Sequence, residues 1–163
     1  MKQATLKNNQ IEMFKTAVFW LVICFTILWM NESKSDTWKQ GFGQGVTEYN
    51  IQNATGDTFT IACDGNAESG EGVSVYATSK SIQYGAGNKK TFKLFVDNKE
   101  HDSMQQVDTD AGASLFWESW NTIRKAKELQ IKTSDGKVIV FTFTNAGSIL
   151  PAKGSKTSTC NTY

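Results

Sequence analysis

Between Val46 and Thr144 the chain consists of short runs in which apolar and polar residues alternate, separated by turn residues. A period of two puts every second side chain on one face, so the runs read as half-buried strands. Val46 to Gln52 sets Thr47, Tyr49 and Ile51 against Val46, Glu48 and Asn50, and Thr58 to Cys63 places Phe59, Ile61 and Cys63 together. Asn53 to Asp57 is the turn between them. Val73, Val75 and Ala77 alternate with Ser74, Tyr76 and Thr78, and Phe92, Leu94 and Val96 share a face. The loop Tyr84 to Lys90 (YGAGNKK) is expected to join two strands as a hairpin, and Asp135-Gly136 is the strongest hairpin signal in the chain. Val138 to Phe143 reads as a central strand. One stretch breaks the period: Ala113, Phe116, Trp120 and Ile123 recur at helical spacing, with Trp117 beside them, and Thr109 or Asp110 suits the cap. The expected fold is mainly β, an antiparallel β-sandwich or partly open barrel with one α-helix at about 110–125.

Ahead of this region Ala17 to Met30 runs through 14 residues without a charge. As a helix it would span about 21 Å, short of the ~30 Å hydrocarbon core. Lys2, Lys7 and Lys15 precede it against Glu12 alone, while Glu32, Lys34 and Asp36 follow, which predicts a cytoplasmic N-terminus and an exported remainder. The chain is therefore expected to divide into a cytoplasmic segment (1–16), a signal anchor or signal peptide (17–30), a spacer (31–45) and an exported β-rich domain (46–163). An uncleaved membrane helix is the leading expectation, because bulky Trp29 and Met30 crowd the best cleavage site, Ser33-Lys34-Ser35. Cleavage near Ser35 is the alternative.

Export gives the cysteines a meaning. Cys24 lies within the apolar run, which leaves Cys63 and Cys160, and two thiols in an oxidising compartment suggest one disulfide. The charges beyond residue 35 nearly cancel, at 13 Lys/Arg against 14 Asp/Glu, so there is no bulk attraction for nucleic acid.

No motif names a reaction. His101 stands among Asp97, Glu100, Asp102, Asp108 and Asp110, a set that could act as a base or bind a divalent metal, but a solvated strand-to-helix connection is the blander reading. No nucleophile has a catalytic context, and Gly41, Gly43 and Gly45 are too closely spaced for a phosphate cradle. No cofactor is expected. Charges fall in blocks, with Glu68 and Glu71 in an acidic loop and Lys89 and Lys90 in a basic one. Such blocks are solvated loops that complement each other, or a polar docking surface. Trp117 and Trp120 pose the same choice between core and partner contact.

The succession Phe59-Thr60-Ile61-Ala62-Cys63, Phe92 to Asp97, Trp120 to Ile123, Ala126 to Ile131 and Asp135-Gly136-Lys137 weakly resembles invasion-associated locus B proteins. The resemblance spans about Thr58 to Leu150 and implies an exported bacterial β-sandwich with no established enzymatic activity; the second cysteine pair of that family is missing here. The expected function is a binding protein anchored in the inner membrane with its domain in the periplasm, an accessory subunit of an envelope assembly for secretion, conjugation or exclusion. Its partner would be another envelope protein. A small hydrolase or metal-dependent enzyme using His101, and a cleaved, secreted inhibitor or effector, are the alternatives.

Overall fold

The computed structural model describes residues 35–67, 72–85, 87–160 and 162. The cytoplasmic segment, the apolar run, most of the cleavage site, Glu68 and Glu71 lie outside these residues. Among the described residues, no helix is long and apolar enough to cross a membrane.

Two antiparallel sheets make up the domain. The first carries β1 (Lys39–Gly43), β2 (Val46–Gln52), β3 (Thr58–Asp64), β4 (Val73–Ser79) and β5 (Ile82–Gly85) in chain order. The second carries β6 (Phe92–Val96), β7 (Lys99–His101), β8 (Glu128–Thr133) and β9 (Val138–Thr142) in the order β7-β6-β8-β9. Alternation fixes the registers. Tyr49 and Ile51 of β2 lie opposite Ile61 and Phe59 of β3, so one face of the sheet is apolar and buried. In the second sheet Leu94 pairs with Ile131 and Ile131 with Ile139 on the matching inner face.

Aromatic rings join the two inner faces. Phe59 meets Phe92 edge-to-face at 6.1 Å, and Trp38 contacts Phe59 at 6.2 Å and Phe143 at 5.8 Å in the same geometry. Each such buried ring contributes about 1.5–3 kcal/mol relative to exposure. The helix α1 (Asp110–Ile123) starts at Thr109, whose hydroxyl accepts from Gly112 N at 3.1 Å. Its buried face meets the first sheet where Trp120 packs edge-to-face on Tyr49 at 5.2 Å. A short helix α2 (Ala146–Ile149) follows β9.

Cys63 and Cys160 are joined by a disulfide, their Cα atoms 4.6 Å apart and 97 residues apart in sequence. The bond pins the C-terminal tail to β3. Trp117 adds a second tether by donating from Nε1 to Thr162 Oγ1 at 3.0 Å.

Three expectations are corrected. Tyr84 to Lys90 is not a hairpin loop: β5 pairs with β4 and β6 with β7 and β8, so the loop crosses from one sheet to the other. β9 is an edge strand, not a central one, since Val138 and Val140 are exposed on its outer face and only alternate residues are buried. The expected spacer is part of the fold. Asp36 bridges to Phe143, Trp38 is buried, and β1 pairs along its length with β2, so the folded unit starts ten residues before the boundary at 46. The reason is the pair Gln44-Gly45, both at positive φ (54° and 86°), which turns the chain back in two residues.

Candidate functional site

Two of the carboxylates around His101 hold backbone. Asp97 Oδ1 accepts from Lys127 N and Glu128 N, each at 3.1 Å, and Asp102 Oδ1 accepts from Met104 N at 2.8 Å. Glu100 is paired with Lys93 at 3.0 Å, and Asp110 occupies the first turn of α1, where a negative charge suits the helix dipole. His101 ends β7 opposite Leu94. Among the described residues no three His, Cys, Asp or Glu side chains stand close enough to share a metal ion.

The densest polar cluster lies where the β8–β9 hairpin meets the first sheet. The turn between β2 and β3 is set by Asn53, whose Oδ1 accepts from Thr55 N and Asp57 N, and Thr55 Oγ1 donates to Asp57 Oδ2 at 2.8 Å. Lys137 Nζ reaches across to donate to Asp57 Oδ1 at 2.7 Å and to Ser79 Oγ. Burial by itself would raise the Asp57 pKa, but hydrogen bonds from Lys137, Ser79 and Thr55, with the Lys137 charge, outweigh it and bring it down to about 2. Beside it Asp135 accepts from Thr133 Oγ1 at 2.6 Å, from the Tyr84 hydroxyl at 2.9 Å and from Lys90 at 3.2 Å. The Thr133 bond first, then those of Tyr84 and Lys90, bring its pKa to about 2. Burial, and then the bond to Asp135, raise that of Tyr84. Ser79 beside a lysine resembles a nucleophile with its base. Here Nζ donates to Asp57 as well as to Ser79, bridging the carboxylate and the hydroxyl. The cluster fastens the two sheets together.

The residues expected to meet a partner fare differently. Trp120 is fully buried, its Nε1 donating to Pro151 O at 2.8 Å, and Trp117 is only 5% exposed. Both belong to the core, so the aromatic helix face is not a docking surface. Lys89 and Lys90 are exposed on the crossover loop, Lys90 being drawn toward Asp135 and lying 5.6 Å above the Tyr84 ring. A shallow polar depression of about 370 Å³ lies between Asp97 and the end of α1, lined by Glu118, Asn121 and Lys125.

The feature that sequence reasoning missed is the edge at β1. All five of its residues are exposed, and Phe42 reaches 76%. Phe42 lies opposite Thr47 and so on the core-side face of the sheet, yet it stays uncovered among the described residues. Gly41, Phe42, Gly43, Gln44, Val46 and Glu48 line a depression of about 440 Å³ beside it. The signal was present as Trp38, Gln40 and Phe42 alternating with Lys39, Gly41 and Gly43, but the glycines read as a flexible spacer. The other edges are covered in part: Asp36 and Asn53 hydrogen-bond to Thr142 and Val140 of β9, Lys90 and Asn88 to Gly85 of β5, and β7 is three residues long.

The stretch from Asp36, which bridges to β9, to Leu150, at the end of α2, is also what comparison with known proteins recovers: the family model YfjT matches residues 36–150. The chain belongs to the YfjT family. Two Escherichia coli K12 proteins are similar over most of their length. The uncharacterized protein YkfB is 26% identical over 123 residues, 72% of this chain and 79% of its own. The uncharacterized protein YfjT is 29% identical over 124 residues, covering 70% and 77%. No solved structure matches the chain. The YfjT match takes in every strand and both helices but stops before Cys160, so the tail and its disulfide lie beyond it.

Proposed function

We propose that this chain is a protein-binding subunit of the bacterial envelope, held by residues 17–30 in the inner membrane with its β-domain in the periplasm, where it docks an assembly for secretion, conjugation or exclusion. The observation that carries this reading is the open edge of β1, which has no strand on its outer side among the described residues and bears an exposed phenylalanine. A disulfide closing most of the domain suits an oxidising compartment, and the E. coli relatives suit a bacterial one. The likeness to invasion-associated locus B proteins enters the proposal only as a shared exported β-sandwich plan.

Affinity purification of the full-length chain from membranes, with mass spectrometry of what accompanies it, tests the reading. Envelope proteins should co-purify and be lost with Phe42→Pro. That change removes an outward-facing N–H and the ring while sparing the β1–β2 ladder. Charge reversal of Lys89 and Lys90 should weaken capture less, since Lys90 already serves Asp135. An unchanged set of partners in the Phe42→Pro chain refutes docking at this edge. N-terminal sequencing of the mature protein separates the anchored subunit from a form cleaved near Ser35.

A further inference from the structure

The hydrogen-bonding parity of β1 defines how much of its edge is open. Gly65 N donates to Gly45 O, so in β2 the odd-numbered residues turn their backbone groups toward β3 and the even-numbered ones toward β1. Val46, Glu48 and Asn50 therefore bond Gly43, Gly41 and Lys39, which leaves Gln40 and Phe42 with N–H and C=O pointing away from the sheet. Trp38 would continue this row. Its N–H and C=O are instead taken by the side chain of Asn145, at 3.0 and 2.9 Å. Beyond Phe42 the turn Gln44-Gly45 ends the strand. The open edge thus consists of two residues, bounded on both sides.

We infer that the occupant of this edge is the β1 strand of a second copy of the chain, paired antiparallel about a two-fold axis at Gly41. This deepens the proposed docking function and rests on it. In that register Gln40 faces Phe42 of the other copy and Phe42 faces its Gln40, so all four open groups on each chain are satisfied and none is left over. A shift by one residue would bring inward-bonded groups opposite outward ones, and a longer shift would meet the Asn145 cap or the turn. Side chains agree with the backbone. On the core-side face the two uncovered Phe42 rings become diagonal neighbours, a spacing aromatic side chains span. On the outer face Lys39 of each copy lies opposite Gly43 of the other, at the rim of the depression floored by Gly41 and Gly43 and walled by Glu48. Lys39 and Glu48 each lack an ion-pair partner among the described residues, and the pairing supplies one. The two five-stranded sheets then run on as one.

The interface is small, below the ~1,000 Å² of a stable specific contact, so association is weak and concentration-dependent. Cysteine cross-linking reads such contacts. Gly41 meets itself across the axis, and a Cβ added there has nothing within 4 Å; the same holds at Gly43, which faces Lys39 instead. In a full-length chain carrying Cys24→Ser, Gly41→Cys should give a disulfide-linked homodimer under mild oxidation. Gly43→Cys should give at least tenfold less, and Gly41→Cys with Phe42→Pro should lose the product. Equal yields at 41 and 43, or no homodimer at 41 while the chain remains folded by circular dichroism, overturn the inference. If Gly41→Cys links to a different envelope protein, or Phe42→Pro abolishes capture of envelope proteins without any self-linkage, the docking reading survives and the second copy does not. Self-linkage with no envelope partner captured means the reverse.

Discussion

Asp57, in the turn between β2 and β3, meets Asp135 and Lys137 of the β8–β9 hairpin at one seam between the sheets. Both carboxylates titrate near 2, below the ordinary value of 3.8, so each favours the folded state when ionised. That contribution is fully present above about pH 4 and is lost as the pH falls toward 2, the range in which the unfolded chain takes up protons before the folded one. Urea unfolding followed across pH 5 to 2 should therefore show a steep loss of stability. The double variant Asp57→Asn, Asp135→Asn should be less stable at pH 5 and flatter across that window; a slope equal to the parent's would place the acid sensitivity elsewhere. Asp57→Ala should cost about 1–3 kcal/mol at neutral pH, because it leaves the half-buried Lys137 ammonium and the buried Ser79 hydroxyl short of a partner. The sequence showed acidic and basic blocks in alternation, but nothing local in it assigns Lys137 to Asp57, eighty residues away.

Among the elements, α1 was legible almost residue for residue, since its apolar spacing and its Thr109 cap are local signals. The strands were legible for the same reason. What escaped was carried by turns without glycine signatures. Lys80-Ser81 joins β4 to β5 and Asp97-Asn98 joins β6 to β7, each with both residues at positive φ, where asparagine and glycine are the usual occupants. A reader looking for Asn-Gly finds no hairpin at either place and pairs the flanking strands wrongly across Tyr84 to Lys90. The exposed Lys80-Ser81 turn is strained by the same token, so Lys80→Asn with Ser81→Gly should stabilise the domain by about 0.5–1 kcal/mol, measured as a rise in Tm. Trp120→Ala should do the opposite and cost about 3–5 kcal/mol, since it empties a fully buried site and strands Pro151 O. The calorimetric loss should appear without any change in surface binding that survives refolding, which distinguishes a core tryptophan from a docking one.

For the molecule as a whole, sheet order was the least legible property, because pairing across a hundred residues depends on which inner faces fit and not on any one segment. The disulfide was the exception, readable from a count of two cysteines once export is assumed. Cys160→Ser should cost about 2–5 kcal/mol, near the upper figure expected for closing a loop of this length, and reductant should lower the Tm of the parent chain but not of the variant. The bond also decides how the domain answers a mechanical load. Once the contacts of Asp36 with β9 and of the tail with Trp117 give way, tension between Asp36 and the C-terminal tail follows the covalent path through β1 to β3 and across the sulfurs, so β4 to β9 and both helices stand outside that path. Stretched to its limit, such a domain lengthens to roughly 100 Å, where the unlinked chain would reach roughly 450 Å, at about 3.5 Å per residue. Pulling on a single molecule would show that difference as a short unfolding step that becomes long only when the sulfurs are parted.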